Sequence, residues 1–150
     1  MMNIGIASDH GGYKLKEKLI KYLKQKRCNV IDYGTDSEVS CDYPDYAYKL
    51  CKGILDSEVD LGIAICKTGI GMSIACNKIK GIRCAKVSNS KEAKMCKLHN
   101  NANVIAFSAQ ILTLEAKDII DEFITNKFSN EERHINRINK IEKLEEDNEL

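Results

Sequence analysis

The sequence predicts an α/β protein built on a five-stranded, mostly parallel sheet, and three observations carry that expectation. Five short apolar runs recur along the chain, bounded by polar or glycine-containing segments. Between them lie longer stretches whose apolar residues repeat at helical spacing, so strands and helices alternate. No internal repeat or low-complexity linker interrupts the 150 residues, which makes residues 1–150 a single domain.

Asn3–Ser8 is the first strand, and Asp9-His10-Gly11-Gly12 follows as a turn. Tyr13 to Lys26 is helical, with Leu15, Leu19, Tyr22 and Leu23 inward and the lysines on the other face. Cys28–Tyr33 is the second strand, ended by Gly34, and Thr35–Asp42 is a polar loop. Pro44, the only proline, suits the first turn of a helix running to about Asp56 and burying Ala47, Leu50, Cys51, Ile54 and Leu55. Leu61–Cys66 is the central strand, followed by a turn and a helical run from Met72 to Lys78. Arg83–Val87 and Ala102–Phe107 are the remaining strands, with a helix from Ser90 to Leu98 between them. A longer helix, Thr113 to about Asn126, carries Ala116, Ile119, Ile120, Phe123 and Ile124 on one face.

A last helix, Arg133–Leu144, stands outside the alternation. Its Ile135, Ile138, Ile141 and Leu144 form a narrow stripe that has to be covered either by its own domain or by a partner subunit. Glu145–Leu150 is expected to be a frayed acidic tail.

The formal net charge is +1 and the basic residues are scattered, which argues against a nucleic-acid or membrane-surface partner. No apolar run is long enough to span a bilayer, and no basic segment precedes an apolar core at the start, so a cytoplasmic protein is expected. The seven cysteines contain no C-x-x-C pair and no zinc-ligand spacing. Six of them read as small buried hydrophobes of a reducing compartment. Cys66 differs by its place at the end of the central strand.

Four stretches could carry chemistry. A parallel sheet binds ligands at the carboxyl ends of its strands, where Asp9 and His10 and the segment Cys66-Lys67-Thr68-Gly69-Ile70-Gly71 fall. Asp9 could accept from hydroxyls and His10 donate to an anion; the same letters fit a helix N-cap beside a solvated histidine. After Cys66, a glycine-containing turn leads into a helix and gathers N–H groups that can hold an anion. It is neither a P-loop nor a complete dinucleotide fingerprint. Cys66 is either a buried strand-end thiol or a base, since a helix N-terminus favours the thiolate. His99, in a polar run with Asn100, could serve as an acid or base near neutral pH. Arg133 and Arg137, four apart, share a helix face suited to a phosphate, or pair with Glu131 and Glu132.

Taken together these stretches resemble the ribose-5-phosphate isomerase type B family, which includes allose- and galactose-6-phosphate isomerases. The resemblance runs from Ile4 to about Ile138. It is carried by S-D-H-G-G at Ser8–Gly12, D-Y-P-D-Y-A at Asp42–Ala47, C-K-T-G-I-G-M-S-I-A at Cys66–Ala75 and N-K-I-K-G-I-R at Asn77–Arg83. H-N-N-A-N-V-I-A-F at His99–Phe107 and R-H-x-x-R at Arg133–Arg137 complete it.

It implies a Rossmann-like α/β/α homodimer, or a tetramer, whose sites draw on both subunits and bind a phosphorylated sugar without cofactor or metal. Cys66 would move the proton between C1 and C2, and His99 would open the furanose ring. Asp9 and Asn100 would hold sugar hydroxyls, with Tyr43 lining the pocket. The backbone of Lys67, Thr68, Gly69, Ile70 and Gly71 would cradle the enediolate. His10, Arg133 and Arg137 would clamp the phosphate, the arginines reaching the neighbouring subunit's site.

Two departures bear on substrate preference. Lys67 stands where the family usually has glycine; it costs roughly 1–2 kcal/mol if that backbone is left-handed and otherwise adds a cation beside Cys66. Gln110 stands where an arginine is common, which alters a contact to the sugar or phosphate. Ribose 5-phosphate is the expected substrate. A six-carbon sugar phosphate, or a binding protein that has lost turnover, are the competing readings.

Overall fold

Small and large residues alternate along the inner strands, and this alternation sets the two faces of the molecule. In the computed structural model, which describes residues 1–150, β1 (Asn3–Ser8), β2 (Asn29–Asp32), β3 (Leu61–Cys66), β4 (Cys84–Lys86) and β5 (Val104–Ser108) form one sheet. Every pairing is parallel, and the strand order is β2-β1-β3-β5-β4. Ile4, Ile6, Ile63, Ile65, Ile105 and Phe107 project from one face onto α1 (Tyr13–Gln25), α4 (Ser90–Asn100) and α5 (Thr113–Thr125). The other face presents Ala7, Ala64, Cys66 and Ala106 to α2 (Tyr43–Leu55) and α3 (Ile70–Asn77). Small side chains let α2 approach closely: a Cβ at Gly62 would lie 2.9 Å from Ile54 Cδ1. The result is an α/β/α Rossmann-like sandwich, with no helix long and apolar enough to cross a membrane.

The order has a consequence for ligand binding. The chain leaves β1 in one direction to make β2, and leaves β3 in the other to make β4 and β5. The crevice between the carboxyl ends of β1 and β3 is therefore the topological switch point, where open α/β sheets bind ligands. Asp9-His10 follows β1, and Cys66 closes β3.

Several details differ from the sequence expectation. Helix α4 continues through His99 to Asn100, so these two residues form a last helical turn rather than a loop. Lys16 belongs to the buried face of α1, completely enclosed, with its ammonium paired to Asp32 and Glu17. A buried lysine needs such a partner. Leu55 is about half exposed, and Cys28 and Cys41 are only partly buried, so the buried-cysteine reading fails for those two. Helix α6 (Glu132–Asp147) takes in the first half of the stretch expected to fray: Glu145 accepts the Gly81 N–H and Glu146 pairs with Lys80, and only Asn148–Leu150 lie beyond the helix. Of its apolar stripe only Ile138 is buried, while Ile135, Ile141 and Leu144 remain partly exposed.

Candidate active site

At the carboxyl edge of the sheet, backbone geometry does most of the positioning. Cys66 is 4% exposed, and its Sγ accepts the Gly69 N–H at 3.2 Å. Gly69 caps α3 with φ 78°, a left-handed conformation, and a Cβ there would meet the Phe107 backbone at 2.7 Å. Only glycine satisfies both constraints. The turn is tied further by Ile70 N–H donating to Thr68 Oγ1 at 3.2 Å and by Ser108 Oγ donating to the Lys67 carbonyl at 2.6 Å. The same Ser108 hydroxyl accepts from Gln110 N–H at 3.0 Å, which links the positions of Lys67 and Gln110. Ser108 was not among the residues singled out by sequence, because a serine after an apolar run carries no distinguishing pattern.

Lys67 resolves one open alternative. The non-glycine residues with positive φ are Arg27, Ser57, Asn101, Asn130 and Asn148, so Lys67 is not left-handed. The lysine is free of left-handed strain there, and its side chain is exposed at the position that follows Cys66.

Asp9 and His10 complete this edge. Asp9 is 8% exposed, and its Oδ1 accepts Gly12 N–H at 3.2 Å, which is the N-cap role; Oδ2 makes no hydrogen bond. His10 Nδ1 accepts the Cys41 N–H at 3.2 Å, so in the neutral ring the proton sits on Nε2, which is then a donor. Tyr43, the first residue of α2, lies across Gly71, where a Cβ would come within 2.7 Å of its ring. One edge thus gathers Asp9, His10, Tyr43, Cys66–Gly71 and Gln110.

The remaining expected residues lie elsewhere. Helix α4 runs back from the carboxyl edge, and its end leads through Asn101–Asn103 into the start of β5. Val104 pairs with Gly62 at the amino end of β3, whereas Ser108 pairs with Cys66. His99 and Asn100 are thus about a strand length from Cys66, roughly 15 Å at 3.3 Å per residue. Hydrogen-bond reach is about 3 Å, so a single chain does not bring Cys66 and His99 together.

Arg133 and Arg137 share this amino edge, because α6 starts against His99 and passes Arg83 and Gly81 through Glu142 and Glu145. Arg133 Nε is bonded to Glu131 at 2.9 Å, the surface pairing that the sequence also allowed, while Arg137 has no ion pair. Arg83 Nε and Nη2 donate to the carbonyls of Asn100 and Asn101 and cap α4. Nearby lies a cavity of about 460 Å³ whose lining includes Arg83, Asn100, Ile141 and Leu144, and none of the carboxyl-edge residues.

Known proteins share this fold. The model of a family described as Ribose/Galactose Isomerase matches residues 4–141. The chain belongs to that family. Ribose-5-phosphate isomerase B of Escherichia coli is 38% identical over 147 residues, covering 97% of this chain and 98% of the relative. Among solved structures, ribose-5-phosphate isomerase B of Clostridium thermocellum matches with a TM-score of 0.95 and 42% identity, covering 99% of this chain and all of that one. The isomerase B of Mycoplasma genitalium, solved with bound ribulose-5-phosphate, matches at TM-score 0.91 and 40% identity over 97% of both chains. This chain is accordingly an isomerase.

Proposed function

We propose that this isomerase interconverts ribose 5-phosphate and ribulose 5-phosphate as a homodimer, with each site built from the carboxyl edge of one subunit and the amino edge of the other. The observation that carries the reading is the division just described. Cys66 and its backbone cradle occupy one edge, while His99, Asn100, Arg133 and Arg137 occupy the opposite one, in a chain whose relatives act on ribose 5-phosphate by name. A two-fold dimer that docks one edge against the other makes two equal sites.

In this reading His99 donates a proton to the ring oxygen as the C1–O4 bond breaks. The anomeric hydroxyl gives its proton to water, leaving an open-chain aldehyde. The Cys66 thiolate then removes the C2 proton. Electrons move onto the C1 oxygen, and the N–H groups of the Lys67–Gly71 turn receive the enediolate; one such donor is typically worth about 10²–10³ in rate. The proton returns to C1 as a second proton passes from O2 to O1, which gives the ketose. Asp9 Oδ2 and Asn100 hold hydroxyls, and Tyr43 and Gln110 line the pocket. His10 Nε2–H, Arg133 and Arg137 hold the phosphate by charge-assisted bonds of about 1.5–3 kcal/mol each. No step calls for a redox cofactor or a metal.

Steady-state rates with ribose 5-phosphate, allose 6-phosphate and galactose 6-phosphate, for the unaltered enzyme and for Cys66→Ala, test this directly. The five-carbon sugar should be preferred, and Cys66→Ala should lose about 10²–10⁴-fold in kcat. A six-carbon preference would overturn the substrate, and equal activity of Cys66→Ala would overturn the base.

A further inference from the structure

Behind His99 lies a second histidine that the mechanism above leaves unused. His134, in the first turn of α6, is 4% exposed, and its ring stacks on that of His99 with centroids 4.4 Å apart and planes 17° from parallel. Its Nε2 is buried without a hydrogen-bond partner. A bare ring nitrogen tolerates such a position better than an N–H or a cation does, so the neutral ring with its proton on Nδ1 fits best. The surroundings agree. Burial first, then Arg133, His99 and Arg137 hold its pKa below the ordinary histidine value, and Glu131, the one carboxylate facing it, pulls the other way.

The segment that carries the ring is also held in place. The His134 backbone N–H donates to the Glu131 carbonyl at 2.9 Å, Ile138 one turn on is buried, and Glu142 pairs with Arg83. Arg83 caps the helix end that carries His99, and Ser129 N–H bonds to the Leu98 carbonyl. Helix α6 and the end of α4 are thus locked together around the stacked pair. His99 itself is half-buried, its ring makes no hydrogen bond within the chain, and its plane lies against the His134 ring.

We infer that His134 is a positioning residue, whose buried neutral ring is the platform that fixes the plane of His99 for ring opening. This rests on the assignment of His99 as the ring-opening acid. The flat aromatic face is the required property, and the nitrogens are not. A misplaced acid slows ring opening, because catalysis is steep in the placement of reacting groups. It leaves untouched the proton transfer by Cys66 on an open-chain sugar.

Ribulose 5-phosphate supplies the necessary comparison. Its C5 oxygen carries the phosphate and cannot close a furanose on C2, so the ketose is acyclic, and exchange of its C1 hydrogen in D2O reports Cys66 alone. Both His134→Leu and His134→Phe fill the buried space with apolar atoms, but only phenylalanine keeps a flat ring. His134→Leu should lower kcat for cyclic ribose 5-phosphate about 10-fold or more, with KM changed less than about 3-fold. His134→Phe should stay within about 3-fold of the unaltered enzyme, and both should retain C1 exchange.

Three outcomes would overturn the inference: His134→Leu matching the unaltered enzyme, leucine and phenylalanine losing activity equally, or exchange falling in step with isomerisation. Cys66→Ala run alongside keeps the two levels apart. Persistent C1 exchange in that variant would refute the base assignment while leaving the comparison between leucine and phenylalanine intact.

Discussion

The two edges of the sheet position their groups by different physics. At the carboxyl edge, a central strand, a left-handed glycine and a helix N-terminus fix Cys66 and the turn after it, and most contacts there are made by backbone. At the amino edge, His99, Asn100, Arg133 and Arg137 stand on helix ends, held by side chains: the His134 ring, the Arg83 guanidinium and the Glu131 carboxylate. A backbone cradle is rigid and tolerates no Cβ at Gly69. A side-chain frame can be altered one atom group at a time. The first suits an oxyanion that must be met without reorganisation, the second a sugar and phosphate that must enter and leave.

Substitutions at the two edges should therefore fail differently. Gly69→Ala should do the most damage after loss of Cys66 itself. The left-handed φ and the 2.7 Å approach to the Phe107 backbone leave the new methyl nowhere to go. We expect about 10²-fold or more loss of kcat, together with about 1–2 kcal/mol of stability from the backbone strain alone. Steady-state kinetics and urea unfolding would check both, and a fully active Gly69→Ala would show that the turn is not rigid.

At the opposite edge, Arg137→Ala should lower kcat/KM for the phosphorylated sugar by about 10–100-fold, the equivalent of one charge-assisted bond, mainly through KM. Arg133→Ala should cost less, since Glu131 already engages its guanidinium. The reverse order in a side-by-side kinetic comparison would count against the clamp as drawn.

The smallest expected effect is on stability against pH. With the folded pKa of His134 held below the ordinary value of 6.5, the unfolded chain takes up a proton there that the native protein refuses. That contribution is fully present above about pH 6.5 and fades as the pH falls below it. His134→Phe removes the group, so its melting temperature relative to the unaltered protein should rise as the pH is lowered from about 7.5 to 5.5. A difference independent of pH would mean that His134 titrates alike in both states.

The carboxyl edge was legible in the sequence because its constraints are local. A continuous apolar strand, two glycines and a helix start stand within a few residues of Cys66, and the switch-point rule says where they point. The amino edge was legible as letters but not as a place. His99 read as part of a loop, because Asn100 and Asn101 look like turn residues; the left-handed Asn101 instead ends a helix that already includes both His99 and Asn100. The pairing of His99 with His134 depends on how α6 packs, and nothing in either local pattern announces it. Lys16 was hidden for the same reason, since its partner Asp32 lies on the neighbouring strand. Lys67 needed only its backbone angle, which no sequence pattern supplies.

Mixing two inactive variants asks most directly whether each site takes Cys66 from one chain and His99 from the other. Cys66→Ala and His99→Ala chains, co-refolded in equal amounts with different affinity tags, form mixed dimers. In these one site has both alanines and the other has both native residues. Statistical mixing should restore about a quarter of the unaltered activity, half the dimers carrying one working site of two. If the doubly tagged dimer is recovered and remains as inactive as its parents, the acid and the base belong to the same chain, and the division between the two edges is wrong.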